Sequence, residues 1–505
     1  MRPAWRSETR PALTVVSVRP DVVHLEDSES NWTGIPRRLQ STGHVTRAGL
    51  RQPLGAVRSV HYASQAEGLP AFAAPRRQFL ADPPERPFRT FALTLFCPYN
   101  LAVESILESI RVVELTEALA GPYCAMLLGD FGADVIKVER PGTGDQSRGW
   151  GPPFVGGESA YFLATNRNKR SIALNYDESI DAKTLQRLIA SADVFLSNQP
   201  SLESLRRRGV DPETLRAKYP RLIHCSITGY GFTGPKGGRP GYDILAQAES
   251  GLMSFTGEPD GGPMRYPIAI ADMTCGMYAA MGILGALFAR EKTGLGQFLD
   301  LALFDSQLTW LANVGSSYLN AGTEPKRWGN AHPNIVPYQV FRGGDQKYFV
   351  VGVGTEALWK KFVPTVGQHA HLGSDARFAT NQLRIQHREE LVALLQKQFD
   401  AGAREAWLEK FAKAGIPAAP INGVPEAMRD AQALARGMIV QIEHPALGVA
   451  RSIANPIKFS DMPVSYRLPP PLLGEHTAAI LESLETGSQR DAREEAGNEK
   501  DNRSL

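Results

Sequence analysis

Four cysteines in 505 residues, Cys97, Cys124, Cys225 and Cys275, are too few and too scattered for a disulfide framework. No CxxC pair occurs among them, which removes the usual zinc-site spacing and leaves free thiols of a reducing compartment as the expectation. Charge of one sign is also missing. The chain has 55 basic and 53 acidic residues and a net charge of +2, so nothing points to nucleic acid or an acidic membrane surface. No apolar run approaches the roughly 20 residues that span a bilayer. Phe91 to Cys97 is short and lacks a cleavage-site pattern behind it, which argues against a signal peptide.

Lysine is absent before Lys137, and methionine between Met1 and Met126. Residues 1–104 instead carry arginine, in pairs such as Arg37-Arg38 and Arg76-Arg77, with much proline and serine and no sustained period. Two alternatives stay open. The segment is a disordered or misassigned extension, in which case a shorter protein would start near Val103 without a methionine codon. Or it is an organelle transit peptide, against which Asp21, Glu26, Asp27 and Glu29 speak, because such peptides are poor in acids. The expected location is cytoplasmic in the first case and the mitochondrial matrix in the second.

What is present begins near residue 105. With 43 % hydrophobic residues the chain can bury a large core, and its length allows two to four domains. Ile110 to Leu115 reads as a strand, Tyr123 to Phe131 as a helix and Val135 to Glu139 as a second strand, which is a βαβ unit and implies a parallel sheet. Ser171 to Leu174, Val194 to Leu196, Leu222 to Ile227 and Phe298 to Phe304 read as further strands, with a helix over Ala182 to Ser191. The fold class expected is therefore α/β. After Asp272 comes a helix that is small or apolar nearly all round, the pattern of a buried helix, and Ser306 to Leu319 reads as another. Residues 326–430 form a smaller mixed unit, with strands at Tyr338 to Phe341 and Tyr348 to Val353. Its helices are Glu356 to Val366, Glu389 to Phe399 and Ala403 to Ala414. Residues 486–505 are charged and poor in apolar side chains, so a disordered tail is expected.

The chemically informative spot is Ile268-Ala-Ile-Ala-Asp272, where an acid stands as an apolar run enters the long helix. As an N-cap, its carboxylate would accept hydrogen bonds from the free N–H groups of the first turn. The alternative is a carboxylate exposed to a dry pocket, and the two are compatible.

Six segments, in this order, resemble the class III CoA-transferase (CaiB/BaiF) family. They are Val113-Glu-Leu-Thr-Glu-Ala-Leu-Ala-Gly-Pro122, Gly132-Ala-Asp-Val-Ile-Lys-Val-Glu-Arg-Pro-Gly142 with Gly144-Asp145, and Asn166-Arg-Asn-Lys-Arg-Ser-Ile-Ala-Leu174. Ala271-Asp-Met-Thr-Cys-Gly-Met277, Lys292-Thr-Gly-Leu-Gly-Gln297 and Pro470-Pro-Leu-Leu-Gly-Glu-His-Thr477 follow. The match runs from Ile110 to Leu484. It implies a Rossmann-like large domain over 105–325, a smaller inserted α+β domain over 326–430, a return to the large domain over 431–485, and an interlocked homodimer. It implies an aspartyl nucleophile at Asp272 that exchanges CoA between an acyl thioester and a carboxylic acid. A carboxylate with a reference pKa of about 3.9 would do so ionised, without a general base. The CoA thioester would be a substrate, with no permanently bound cofactor and no metal.

By the same resemblance, Ala120, Arg140, Leu174, Asn175, Asn198, Tyr242 and Asp243 are expected around CoA. Of Arg206, Arg207 and Arg208, Arg207 is the one expected on a CoA phosphate. Leu119, Tyr161 and His332 are expected at the substrate. Two departures narrow the expectation. Leu119 stands where formyl-CoA:oxalate transferases carry glutamine, and Gly329-Asn-Ala-His-Pro-Asn334 replaces their glycine-run loop. Tyr242 stands where the related α-methylacyl-CoA racemases carry a histidine, which removes one of two acid/base groups. A racemase or acyl-CoA hydrolase on the same scaffold is the alternative function. Trp328 to Gln339 looks like the form in succinyl-CoA-dependent dicarboxylate transferases, with Arg265 or Arg327 as a candidate cation for a distal carboxylate.

Overall fold

The computed structural model describes residues 105–367 and 370–486, together with the paired two-residue strands Val18–Arg19 and Val22–Val23. The expectations for residues 1–104 and for the C-terminal tail otherwise lie outside the described residues. By contacts the chain divides into Met1–Leu95 and Phe96–Leu505, and the large sheet belongs wholly to the second unit.

Six strands build that sheet: β1 (Arg111–Leu115), β2 (Asp134–Glu139), β3 (Lys169–Ala173), β4 (Val194–Ser197), β5 (Ile223–Thr228) and β6 (Phe298–Ala302). Their order is β6-β5-β4-β1-β2-β3, with every neighbouring pair parallel. Near-continuous apolar runs are what such strands require, because helices cover both faces. Alternation then sorts neighbours. Val112, Val135 and Leu196 join one core with Cys124, Leu128, Ala279 and Ile283, whereas Val113, Ile136 and Phe195 join another with Leu185, Leu188 and Ile480. The first core holds α1 (Ala120–Asp130) against the sheet, and the second holds α2 (Ser179–Ala190).

Strand order reverses between β1 and β4. In a doubly wound sheet the crevice beyond the carboxyl ends at that point is where ligands bind. Two later helices complete it: α3 (Asp243–Glu249) and α4 (Ile270–Thr293). By length and mean hydropathy α4 could cross a membrane, contrary to the expectation that no segment is apolar enough. Glycine, threonine and tyrosine interrupt its apolar runs while leaving the average high. Half of its most apolar window is nevertheless buried inside the protein, with Ala271, Cys275, Ala279, Ile283 and Ala286 in the core. Gly276 permits the approach to α1, since a Cβ there would stand 2.6 Å from the Ala120 carbonyl oxygen.

Of the helices read from the sequence, one differs clearly from the structure. The helix read over Ser306 to Leu319 starts earlier, at Leu303, and is broken: Leu303–Leu308, a single 3-10 turn, then Ala312–Ala321. The break falls where Ala312 adopts φ 37°, a conformation a continuous helix cannot contain. Residues 336–416 have their own aromatic core of Phe341, Phe349, Trp359, Phe362, Phe399 and Phe411 around three antiparallel strands. Residues 465–477 then pair with the β3 side: the Ser465 N–H donates to the Asp130 carbonyl (3.0 Å) and the Ala173 N–H to Thr477 Oγ1 (3.1 Å).

Candidate active site

A cleft of about 630 Å³ lies at the switch point. Its walls come from the loop after β1, the loop after β4, the Thr228-Gly229 end of β5, the Arg239–Ile244 segment, and the Arg265–Asp272 approach to α4. Two of these backbones touch: a Cβ on Gly229 would meet Gly241 Cα at 2.5 Å, so the wall tolerates glycine there and nothing larger.

The loop after β1 is held from beneath by buried charge. Glu114, Lys137 and Lys169 stand on β1, β2 and β3 and are fully buried. Lys137 Nζ pairs with Glu114 (2.9 Å) and Asp145 (2.9 Å) and donates to the Thr116 carbonyl (2.8 Å). Lys169 Nζ pairs with the other Glu114 oxygen (2.8 Å) and donates to the Pro122 carbonyl (2.9 Å). Asp145 Oδ1 accepts the Ala118 N–H (3.0 Å), at a residue with φ 73°. Thus Thr116, Ala118 and Pro122, which bracket Leu119 and Ala120, are each tied to an ion pair. Asn198 clamps the loop from the β4 side, donating to the Glu117 carbonyl (2.9 Å) and accepting the Glu117 N–H (3.3 Å).

Asp272 lies in the first turn of α4, half-buried at the cleft wall. It is not the N-cap. Ala269 holds that position without a side-chain bond, and the capping acceptor comes from another helix: Asp243 Oδ1 accepts the Ala271 N–H at 2.8 Å. Gln247 Nε2 in turn donates to Asp243 Oδ2 (2.7 Å), and Gln247 Oε1 accepts the Tyr266 N–H (2.8 Å). With Asp243 satisfying the helix end, no donor among the described residues hydrogen-bonds the Asp272 carboxylate. Burial, and after it the Asp243 charge, push its pKa up to about 7. Asp243 is itself raised by burial, against hydrogen bonds that lower it. Tyr161, T-stacked on Trp150 with ring centroids 4.9 Å apart, is pushed up to about 12 by burial and by the charges of Asp272 and Asp243. It therefore stays a neutral donor at physiological pH. Glu117 is likewise raised, by burial and by Asp145.

Of the residues expected from the sequence, Leu119, Ala120, Tyr161, Asn198, Tyr242, Asp243 and Asp272 line this cleft together. Arg140, Leu174, Asn175, Arg207 and His332 do not. Arg140 pairs with Asp177 (3.0 Å) and sits 4.6 Å over the Tyr176 ring. Arg208 joins it there, pairing with the same Asp177 (3.0 Å) and lying 5.3 Å over the same ring, while Arg207 is exposed. The member of the arginine triplet beside Arg140 is thus Arg208. Leu174 is buried with its N–H on the Glu139 carbonyl (2.9 Å), and the Asn175 N–H donates to Asp181 (2.6 Å). His332 caps its own turn, accepting the Asn334 N–H at 3.1 Å, with its ring against Tyr338. Glu117, Trp150 and Arg239 also line the cleft, although the sequence did not mark them as site residues. Only Glu117 carried a signal, as part of the opening segment. Among the described residues no cluster of histidine, cysteine and carboxylate could hold a metal, and Cys124, Cys225 and Cys275 are buried free thiols.

A doubly wound sheet with an unbonded carboxylate at its switch-point cleft meets a family match here: residues 107–477 fit the model of CoA-transferase family III, and the chain belongs to that family. It is an enzyme with CoA-transferase activity. Among its relatives is a succinyl-CoA:glutarate CoA-transferase of Mus musculus, 43% identical over 75% of this chain and 86% of that protein. A succinate–glutarate CoA-transferase of Agrobacterium fabrum is 42% identical over 75% of this chain and 96% of that protein. In structure, a CAIB/BAIF family protein from Brucella suis superposes with TM-score 0.68 at 43% identity, over 75% of this chain and all of that one.

Proposed function

We propose that Asp272 is the nucleophile and that the cleft exchanges CoA between succinyl-CoA and a dicarboxylic acid. One observation supports this above the rest: Asp272 is a half-buried carboxylate at a ligand cleft with no hydrogen-bond donor of its own among the described residues. Hydrogen bonds that would stabilise the anion are spent on Asp243 instead, so the Asp272 oxygens keep their basicity.

An Asp272 oxygen attacks the thioester carbonyl, the C–S bond breaks, and CoA leaves as thiolate from a mixed anhydride. The thiolate attacks the Asp272 carbonyl, releasing the first acid and forming an aspartyl-CoA thioester. The acceptor carboxylate attacks that carbonyl, again expelling thiolate. The thiolate then takes the new acyl group and frees Asp272. Each bond broken is matched by one formed, and no proton is consumed. Tyr161 remains protonated beside the carboxylates and supplies a donor for oxyanions that develop there. Tyr242, exposed in the wall, provides no second base for racemisation.

CoA itself would extend from the cleft, with its nucleotide toward Arg140 and Arg208, whose guanidinium groups suit phosphate. The relatives named for succinyl-CoA and glutarate support the substrate class. The division into a large domain over 105–325, a small one over 326–430 and a return over 431–485, an interlocked homodimer, and a location in the cytoplasm or the mitochondrial matrix belong to the same proposal. A panel of carboxylic acids offered with succinyl-CoA tests it. Transfer to dicarboxylates by the wild type, and none by Asp272→Ala, is expected. Full transfer by the Ala variant would overturn the role of Asp272.

A further inference from the structure

A dicarboxylic acid brings a second negative charge into a cleft already lined by Glu117, Asp243 and Asp272. Such a charge is repelled unless a cation receives it. Two cations line the cleft among the described residues, Arg239 and Arg265. They are not equivalent. Arg239 lies 5.7 Å from the Tyr230 ring and within the field of Glu249. Neither has an ion-pair partner among the described residues; Arg265 is held by a hydrogen bond to the nearby Pro267 carbonyl (2.9 Å).

Several arginines elsewhere in the large unit are already committed to acids. Arg140, Arg148, Arg167, Arg170, Arg208 and Arg290 are each paired with a carboxylate. Arg265 stands close enough to Tyr161 and Asp243 for both to feel its charge, whereas the Asp272 carboxyl is shifted by burial and Asp243 alone. A cation is therefore set in the cleft wall beside Tyr161 and Asp243. Arg327, the other candidate for this role, donates to the Ser254 carbonyl (3.0 Å) and does not line the cleft.

We propose that Arg265 is the specificity-determining residue that seats the distal carboxylate of the acyl group and of the acceptor acid, confining exchange to dicarboxylic acids. The inference rests on the reading of Asp272 as the site of transfer. Because the two half-reactions mirror one another, one guanidinium serves donor and acceptor alike. Arg265 is exposed, so replacing it leaves the core intact.

The test compares glutarate with pentanoate, which has the same five carbons and lacks the second carboxylate, as acceptors at saturating succinyl-CoA. Wild type, Arg265→Met, Arg265→Lys and Arg239→Met are assayed as full chains. Arg265→Met should lower kcat/KM for glutarate by about 10- to 100-fold, the range of one charged hydrogen-bond pair, and leave pentanoate within a few-fold. Arg265→Lys should restore part of the loss, and Arg239→Met should leave the ratio unchanged. Equal losses for both acids, or a selective loss in Arg239→Met alone, would overturn the assignment to Arg265. Wild-type transfer to both acids with equal efficiency would overturn the inference while sparing the transferase reading. Transfer to neither acid, nor to any other dicarboxylic acid of the panel, would remove both.

Discussion

Replacing Asp272 with asparagine should abolish transfer and stabilise the fold, by an amount that grows with pH. The carboxyl group has an ordinary pKa of 3.8 and is pushed up to about 7 in the folded chain. A folded-state pKa above the unfolded one means that the native state binds the extra proton between those values. Stability is therefore lost as pH rises through that window, and the full penalty is present above pH 7. At ~1.4 kcal/mol per tenfold, the penalty is at most about 4 kcal/mol, and partial exposure of the side chain reduces it toward roughly 2. Asparagine keeps the shape and never ionises. Urea unfolding of both proteins at pH 5.5 and pH 8.5 reads the difference. The advantage of Asp272→Asn should be larger at pH 8.5 by about 1–2 kcal/mol. An advantage that is absent, or the same at both pH values, would refute the account of Asp272 as a desolvated, unbonded anion.

The same desolvation sets the pH dependence of the reaction: kcat/KM should fall below about pH 7 as Asp272 takes up its proton, and Asp243→Asn, which removes the like charge, should move that limb to lower pH. Gly241→Ala drives a methyl group into the Gly229 backbone and should cost about 1–3 kcal/mol in thermal unfolding, together with a raised KM. Lys137→Met leaves Asp145 buried without its cation and Glu114 with Lys169 alone, and a loss of about 3–5 kcal/mol, seen as a fall in soluble yield and Tm, is expected.

The parallel sheet was legible because its inner strands are buried on both faces and so read as short apolar runs, each close to its observed bounds. The break at Ala312 was not, since the break is a backbone conformation that the alanine there does not announce. Asp272 stands out in the sequence from its place at the mouth of an apolar helix, but its local role differs from the one that place suggests. An acid near a helix start suggests a cap, and here the capping oxygen comes from Asp243, on a different helix. A reference pKa makes the carboxyl fully ionised at neutral pH, whereas burial brings it close to half-protonated there. The arginine triplet shows the same limit: spacing offers three equivalent guanidinium groups, and only the turn after Arg207 sends Arg208 onto Tyr176 beside Arg140. Arg239 and Arg265 meet at one cleft because two separate loops converge, a fact that no local pattern carries.

The central claim is that the acyl and CoA groups pass through a covalent bond to Asp272. Mass spectrometry of the protein after incubation with succinyl-CoA and no acceptor tests it most directly. The account predicts an adduct on the peptide containing Asp272 that hydroxylamine or borohydride removes, and that Asp272→Ala never forms. An enzyme that turns over while no adduct can be trapped there, or an adduct that persists in the Ala variant, would contradict it.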